Sequence, residues 1–478
     1  MSNKYDIIIE IGIIGLLVYM TLAFGGVLDG SIALMEIVTA LLLLVWLTKL
    51  VSQRHSASHA FTVQHGKCQV RIATSPLLLI LVVFTGLILF QLLPLPAFFV
   101  RIVSPETYHV YAEAATNTAL PLPAFLPISV CSYATAMELR KLLAYLMIFV
   151  LTVNTIRSPR QITRLIYVII ALGLFESLYG ILEYFSGHQH IFFHKKTSSL
   201  AVSGTFVNKN HFAGYLEMVI PLAFSLLFTR LTEHSQTSSK KLVRFLDEKY
   251  MKILLTCFLL AIMIAALILS SSRGGMLSFA SGMGCLMGLA YNRRLLRKGV
   301  IVVLILVVFA GGLSVFMGYD LIMTRLHTLV QLDTELSFQL RWNIWHDTLS
   351  IVRDFPIFGT GLGAFSHIFP RYQTFPSHLA VLYAESDYLQ TLAETGAVGM
   401  ILILCGGIVF FSRTLKAWKQ RYSRWSIVIA ASGMSAVFAI LIHACIDFNL
   451  HIPANALLFS VIAAVTSTAA HSQRRSPR

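Results

Sequence analysis

The chain has 478 residues, of which 56% are hydrophobic and 12% charged, with a mean hydropathy of +0.74. An ordinary soluble domain carries about twice that charge fraction, so a soluble fold is excluded, and with it a soluble nucleic-acid-binding role for the formal net charge of +15. Apolar runs of about 18 residues or more recur along the chain, each able to cross roughly 30 Å of hydrocarbon as a helix. Continuous stretches such as ILLTCFLLAIMIAALIL lack the alternation of a transmembrane barrel strand.

The pattern predicts an all-α polytopic integral membrane protein with about 12 transmembrane helices, near 7–25, 31–52, 76–97, 133–153, 162–184, 211–230, 252–270, 275–292, 299–318, 387–412, 425–446 and 453–470. The opening MSNKYDIIIEIG lacks the basic region and cleavage site of a secretory signal, so the first run is expected to be retained. With a cytoplasmic N-terminus, every even-numbered connection is basic: KLVSQRH, RSPRQITR, KKLVRFLDEK, NRRLLRK and RTLKAWKQRYSR, then the tail HSQRRSPR. That asymmetry obeys the positive-inside rule and places both termini in the cytoplasm. The expected organisation is an N-terminal helix pair with a basic loop (1–75), a central bundle (76–318), an extracytoplasmic loop with short helices (319–386) between the ninth and tenth spans, C-terminal helices (387–470) and a basic tail (471–478).

Within the large loop, Trp342, Trp345, Phe355, Phe358 and Phe365 suit a small folded cap or interfacial helices. Gly359, Gly361 and Gly363 follow Pro356 without a βαβ context, which favours a tight backbone turn over a phosphate-cradling loop. The 6 cysteines are scattered singly and read as small core residues. The histidines are dispersed without metal-ligand spacing, so neither a metal nor a cofactor is expected.

Four clusters carry candidate chemistry on the extracytoplasmic side. Arg273 in SSSRGG and Arg341 in QLRWNIWHD break the bias against positive charge there. Guanidinium forks donate bidentate hydrogen bonds to phosphate oxygens, so the two suit a pyrophosphate; Arg273 equally suits snorkelling or a structural ion pair. In GTFVNKNHFAGYLE, Asn208, Lys209, Asn210 and His211 offer groups for sugar hydroxyls and phosphate, or form a polar helix start with Asn210 as cap. His443 and Asp447 stand one helical turn apart and either pair with each other or serve a site. In YAESDYLQTLAETG, Asp387 complements a helix start, Glu394 lies deeper and calls for a partner such as an arginine or a raised pKa, most simply an internal ion pair, and Glu385 is left as a candidate base for an incoming hydroxyl, with Asp387 second.

In this order, FQLLPLPAFFVRIVSP, GTFVNKNHFAGYLE, SSSRGG, RWNIWHDTLSIVRDFPIFGTGLGAF, ESDYLQTLAETGAVG and DFNLHIPANA resemble the bacterial O-antigen ligase and O-antigen polymerase family of membrane glycosyltransferases. The resemblance covers most of the chain beyond the first two spans. It implies a metal-independent enzyme at the periplasmic face of the inner membrane. Such an enzyme takes a glycan from an undecaprenyl-pyrophosphate carrier to a glycan or lipid-linked hydroxyl acceptor, with no nucleic-acid partner. It further implies that Arg273 and Arg341 bind the donor pyrophosphate; Trp345 and the other aromatic residues of the large loop are expected to cover the sugar. The chain departs from the ligase pattern His-Asn-x-x-Leu: Glu385 stands where the proposed activating His would be, and Ser386 where the Asn would be. The competing function class is a membrane transporter of bicarbonate or polysaccharide, which Glu10, Glu36, Glu176 and Glu183 in or near early spans keep open.

Overall fold

The computed structural model describes residues 4–59, 76–187, 190–195, 201–232, 248–293, isolated positions within 301–312, 336–376 and 380–472. In chain order the helices are α1 (Lys4–Leu22), α2 (Asp29–His59), α3 (Pro76–Leu92), α4 (Ala97–Val103), α5 (Pro105–Asn117), α6 (Ser132–Thr155) and α7 (Pro159–Ser186). They continue with α8 (Lys209–Thr232), α9 (Glu248–Leu269), α10 (Arg273–Tyr291), α11 (Leu336–Asp354), α12 (Asp387–Lys419), α13 (Arg424–His443) and α14 (Pro453–His471). Two-residue strands pair Leu95–Pro96 with Phe125–Leu126, and His190–Ile191 with His194–Lys195.

Among the described residues 8 helices are long and apolar enough to cross a membrane: α1, α2, α7, α8, α9, α12, α13 and α14. Three more of the predicted ranges hold helices that differ from such spans in evident ways. α3 has 17 residues, α6 carries Glu138, Arg140 and Lys141 in its first half, and α10 is rich in glycine and serine. The range near 299–318, the first part of the large loop and the basic loop after α2 lie largely or wholly outside the described residues.

α8 is the centre of the bundle, with 89% of its apolar window buried, and it packs on α7, α9, α10 and α13. Lipid tails are as apolar as leucine, so helix association here rests on close van der Waals approach at small residues. A Cβ on Gly282 of α10 would lie 2.7 Å from Ala439 Cβ of α13, and one on Gly275 would lie 2.5 Å from Ala213 Cβ of α8. Buried acids are matched locally. Glu10 of α1 receives Arg164 Nε at 2.5 Å and Gln161 Nε2 at 3.1 Å. Glu176 of α7 accepts from the Thr205 backbone N–H at 2.7 Å and its hydroxyl at 2.8 Å.

α12 is not one continuous helix. Gly396 sits at φ 63°, ψ −168°, a conformation open to glycine and costly for other residues. The amides and carbonyls released by the break are taken up by the glycine-rich turn after α11. Ala397 N–H donates to Pro356 O at 2.8 Å, while Thr360 N–H donates to Ala393 O at 3.0 Å and Gly361 N–H to Glu394 O at 2.9 Å. Gln91 of α3 adds its side-chain amide to Phe358 O and Glu394 O. The turn expected at Gly359, Gly361 and Gly363 is present, with φ of 69°, 104° and 79°. Ile344, Ile351, Phe355, Phe365, Ile368 and Phe369 form a separate small core with Ala384 and Ala393, which seats α11 on the start of α12.

Candidate active site

α12 starts because Ser386, in extended backbone, accepts a hydrogen bond from Leu389 N–H at 3.4 Å as its N-cap. The residue before it, Glu385, is held at φ 52°. A left-handed conformation at a non-glycine position is strained, and it turns the Glu385 carboxylate away from α12 toward α11. There Arg341 Nε meets Glu385 Oε2 at 3.1 Å, and the same guanidinium reaches Asp447 Oδ2 at 3.3 Å.

Asp447 is the hub. It lies in the turn after α13 and is 1% exposed. Besides Arg341 it receives Asn210 Nδ2 at 2.7 Å and the Phe448 backbone N–H at 2.9 Å, and it faces His211 Nε2 at 3.5 Å. Burial works to raise its pKa, but His211, His443 and Arg341 outweigh burial and hold it down at about 2. Glu385 is shifted the other way. Burial pushes its carboxyl above the ordinary range, with Arg341 pulling back and the Asp447 charge adding to the rise. One arginine thus sits between a carboxylate fixed in its ionised form and a second that is easier to protonate.

The expected substrate-binding residues divide by the helix they start. Asn208, not Asn210, caps α8: its Oδ1 accepts from Asn210 N–H at 2.9 Å. Asn210 and His211 instead face Asp447. Lys209 Nζ reaches Ser271 O at 3.5 Å, which brings it to the turn before α10. Arg273 is the first residue of α10, behind the N-cap Ser272 whose Oγ accepts from Gly275 N–H at 3.2 Å. Its neighbour Gly274 lies against His443 and Ile446, since a Cβ there would be 2.8 Å from His443 Nε2. Trp345 lines a cleft of about 340 Å³ with Trp342, His346, Leu349, Ser386, Leu389 and Cys445. Its indole N–H is buried there without a hydrogen-bond partner among the described residues.

Three pairings differ from expectation. His443 and Asp447 do not pair, because α13 ends at His443 and the i, i+4 geometry of a helix is lost. His443 Nδ1 bonds Glu217 Oε2 of α8 at 3.1 Å instead. Glu394 has no ion pair among the described residues; its Oε1 accepts from Gln390 Nε2 at 3.1 Å and Phe365 N–H at 3.3 Å. Asp387 does more than complement a helix start. Its Oδ1 lies 2.6 Å from His451 Nδ1 and its Oδ2 accepts from Leu450 N–H at 3.0 Å. Burial lowers and the Asp387 contact raises the His451 pKa, the second prevailing. Tyr383, stacked on Phe448 with ring centroids 4.2 Å apart, closes the same side.

Residues 258–404 match the family model described as O-antigen ligase. The chain matches no curated protein. The matched segment contains Arg273, Arg341, Glu385 and the break at Gly396, and it excludes Asn210, His211 and Asp447, which meet it only in three dimensions. The chain is an integral membrane protein whose segment 258–404, carrying both arginines and the candidate base, belongs to the O-antigen ligase family.

Proposed function

We propose that the protein is a glycosyltransferase of O-antigen ligase or polymerase type, moving a saccharide from an undecaprenyl-pyrophosphate carrier to a hydroxyl on a glycan or lipid-linked acceptor at the periplasmic face of the inner membrane. The observation that carries this reading is the Glu385–Arg341–Asp447 cluster inside a family segment. In the reaction the acceptor oxygen forms a bond to the anomeric carbon from the face opposite the carrier. The bond from that carbon to the pyrophosphate oxygen breaks, and its electron pair leaves with the pyrophosphate. The hydroxyl proton passes to Glu385.

Arg341 suits the leaving-group role because the guanidinium has five N–H donors and only two bond the carboxylates. Its side chain is 28% exposed, so the remaining donors are open to a ligand. Arg273 supplies the second charge from the start of α10. Charge that builds on the departing pyrophosphate draws on Arg341, which weakens its hold on Glu385 and makes that carboxylate a stronger proton acceptor. Electrostatic stabilisation of this kind is often the largest single contribution to transfer catalysis. Asp447 keeps Arg341 aimed and stays ionised throughout.

A transport path would run through the acids of the early spans. Glu10 is engaged by α7 and Glu176 by Thr205 of the turn before α8, Glu36 lies 3.7 Å from Arg140 Nε, and Glu183 accepts from His190 N–H at 2.8 Å. They read as structural acids rather than as a polar path. The replacement of the family His by Glu385 tilts the proposal from ligation to lipid A-core toward a polymerase or exopolysaccharide-type transferase. The test is deletion of the gene with analysis of lipid-linked intermediates. Single repeat units on the carrier indicate a polymerase and long polymer on the carrier a ligase, while unchanged glycans with altered solute uptake would overturn the reading.

A further inference from the structure

At the other end of the bundle, α7 presents one exposed stripe whose character changes along its length. Residues 160, 164, 167, 171 and 175 follow helical spacing, and they are Arg160, Arg164, Tyr167, Ala171 and Phe175, all exposed. Trp425 from the start of α13 closes one side, and its indole N–H donates to Thr163 Oγ1 at 3.2 Å. Arg160, Arg164, Tyr167, Ala171 and Trp425 line an open groove of about 590 Å³, and Phe175 continues the exposed stripe one turn beyond Ala171. The groove is remote from the carboxylate cluster. α13 reaches that cluster with its last residue, His443, and α7 is tied by Glu176 to Thr205, just before α8. Trp425 and Arg160 therefore lie at the opposite ends of these helices.

We propose that this groove binds an anionic phospholipid, its phosphate at Arg160 and one acyl chain along Ala171 and Phe175. Charge is the first reason. Arg164 is balanced by Glu10, and Arg157 turns back to Val153 O and Asn154. Arg160 keeps an exposed guanidinium with no ion pair among the described residues. The order of polarity is the second. A cation, then a tyrosine and tryptophan pair, then a small residue and an apolar one match headgroup, interface and tail in sequence. Length is the third: Arg160 to Phe175 spans roughly 22 Å along the helix, about half of the 40–45 Å of a whole bilayer. A soluble phosphate would satisfy the arginine and leave the apolar half of the stripe unused. Basic pockets between transmembrane helices favour anionic headgroups.

The test uses the full-length protein in nanodiscs of phosphatidylcholine with added phosphatidylglycerol, followed by native mass spectrometry of the lipids it retains. Wild type is expected to keep phosphatidylglycerol in preference to phosphatidylcholine. Arg160→Ala is expected to weaken retention roughly fivefold, the effect of one basic side chain at a charged membrane surface, with Arg160→Lys keeping most of it. Ala171→Trp, which fills the groove without touching the charge, is expected to lower retention as well. Equal retention of the two lipids by wild type, or unchanged phosphatidylglycerol in both Arg160→Ala and Ala171→Trp, would overturn the proposal. Displacement of the lipid by millimolar inorganic phosphate would do the same for the acyl contact.

Discussion

Arg341 and Glu385 meet at 3.1 Å across two elements, α11 and the turn before α12, and the contact exists because Glu385 adopts φ 52°. The strain is local and the charge pair is half-open, a combination that persists when the surroundings over-determine it. Here the surroundings are Asp447 on the far side of Arg341 and the Ser386 cap just after Glu385.

The first prediction concerns this pair. Glu385→Gln keeps the shape and removes the proposed proton acceptor, so glycan product is expected to fall about 100- to 10,000-fold, the usual range for loss of a general base. Arg341→Ala should also abolish product. Glu385→Gln should insert at normal abundance, and product from Arg341→Ala, which leaves the buried Asp447 without its guanidinium, is read per inserted molecule, by membrane immunoblot beside product analysis. Normal product from both variants would remove this site assignment.

A second prediction separates the two carboxylates by stability. Asp447 is almost wholly buried among Arg341, Asn210 and His211, and removal of one partner from a buried charged cluster costs about 3–5 kcal/mol. Asp447→Ala is therefore expected to lower thermal stability in detergent well beyond Glu385→Ala, whose side chain is 28% exposed. The pH dependence follows from the depressed pKa. The stabilisation from Asp447 is fully present above its ordinary value of 3.8 and is lost as pH falls through about 2. Stability curves that coincide for wild type and Asp447→Asn between those values would contradict the hub role.

Activity should fall on acidification in the same sense as that stability limb, but at higher pH. Glu385 accepts a proton only when ionised, and its pKa lies above the ordinary 4.5, so the acidic limb of the rate profile should lie above that value. The Asp447 charge contributes to the rise. Asp447→Asn should thus shift the limb of whatever activity remains toward lower pH. A shift toward higher pH would mean that the rate-limiting proton acceptor is not Glu385.

Much of the architecture was legible because it rests on apolar run length and helix caps. The helices named around YAESDYLQTLAETG, GTFVNKNHFAGYLE and SSSRGG begin at Asp387, Lys209 and Arg273, where polar cap residues precede apolar runs. The partners of buried charges were not legible, for a physical reason. His443 and Asp447 look like an i, i+4 pair only while the helix continues, and it ends at His443. Glu217 is 226 positions from His443, and no local pattern announces that contact. The helix break had a signal in Gly396 within ETGAVG, but its meaning needed the turn at Gly359 and Gly361 to be seen docked against it.

That docking yields a structural prediction. A Cβ at Gly396 would collide with the Ile357 carbonyl, and one at Gly361 with the Ser129 side chain, at positive φ in each case. Gly396→Ala and Gly361→Val are expected to destabilise by several kcal/mol, through strain and lost cross-bracing of the broken helix. Protein abundance and melting temperature should fall together. A stable Gly396→Ala protein would mean that the break is dispensable.

The remaining question at the site is which of two neighbouring acids handles the proton, Glu385 or Asp387. Both Asp387 oxygens are occupied, one by His451 and one by Leu450 N–H, and its own N–H donates to Ala444 O at 2.9 Å. It fastens the turn after α13 to the start of α12, and that turn carries Asp447. Asp387→Asn should lower stability, because it removes the partner that raises the His451 pKa and weakens a buried charged contact. Transfer per folded molecule should fall only modestly, with the acidic limb of the pH profile in place. Glu385→Gln should give the reverse: a stable protein without turnover. Kinetics normalised to folded protein, run on the two variants side by side, distinguish a fastening acid from a reacting one. Loss of turnover in stable Asp387→Asn, with Glu385→Gln active, would exchange their roles.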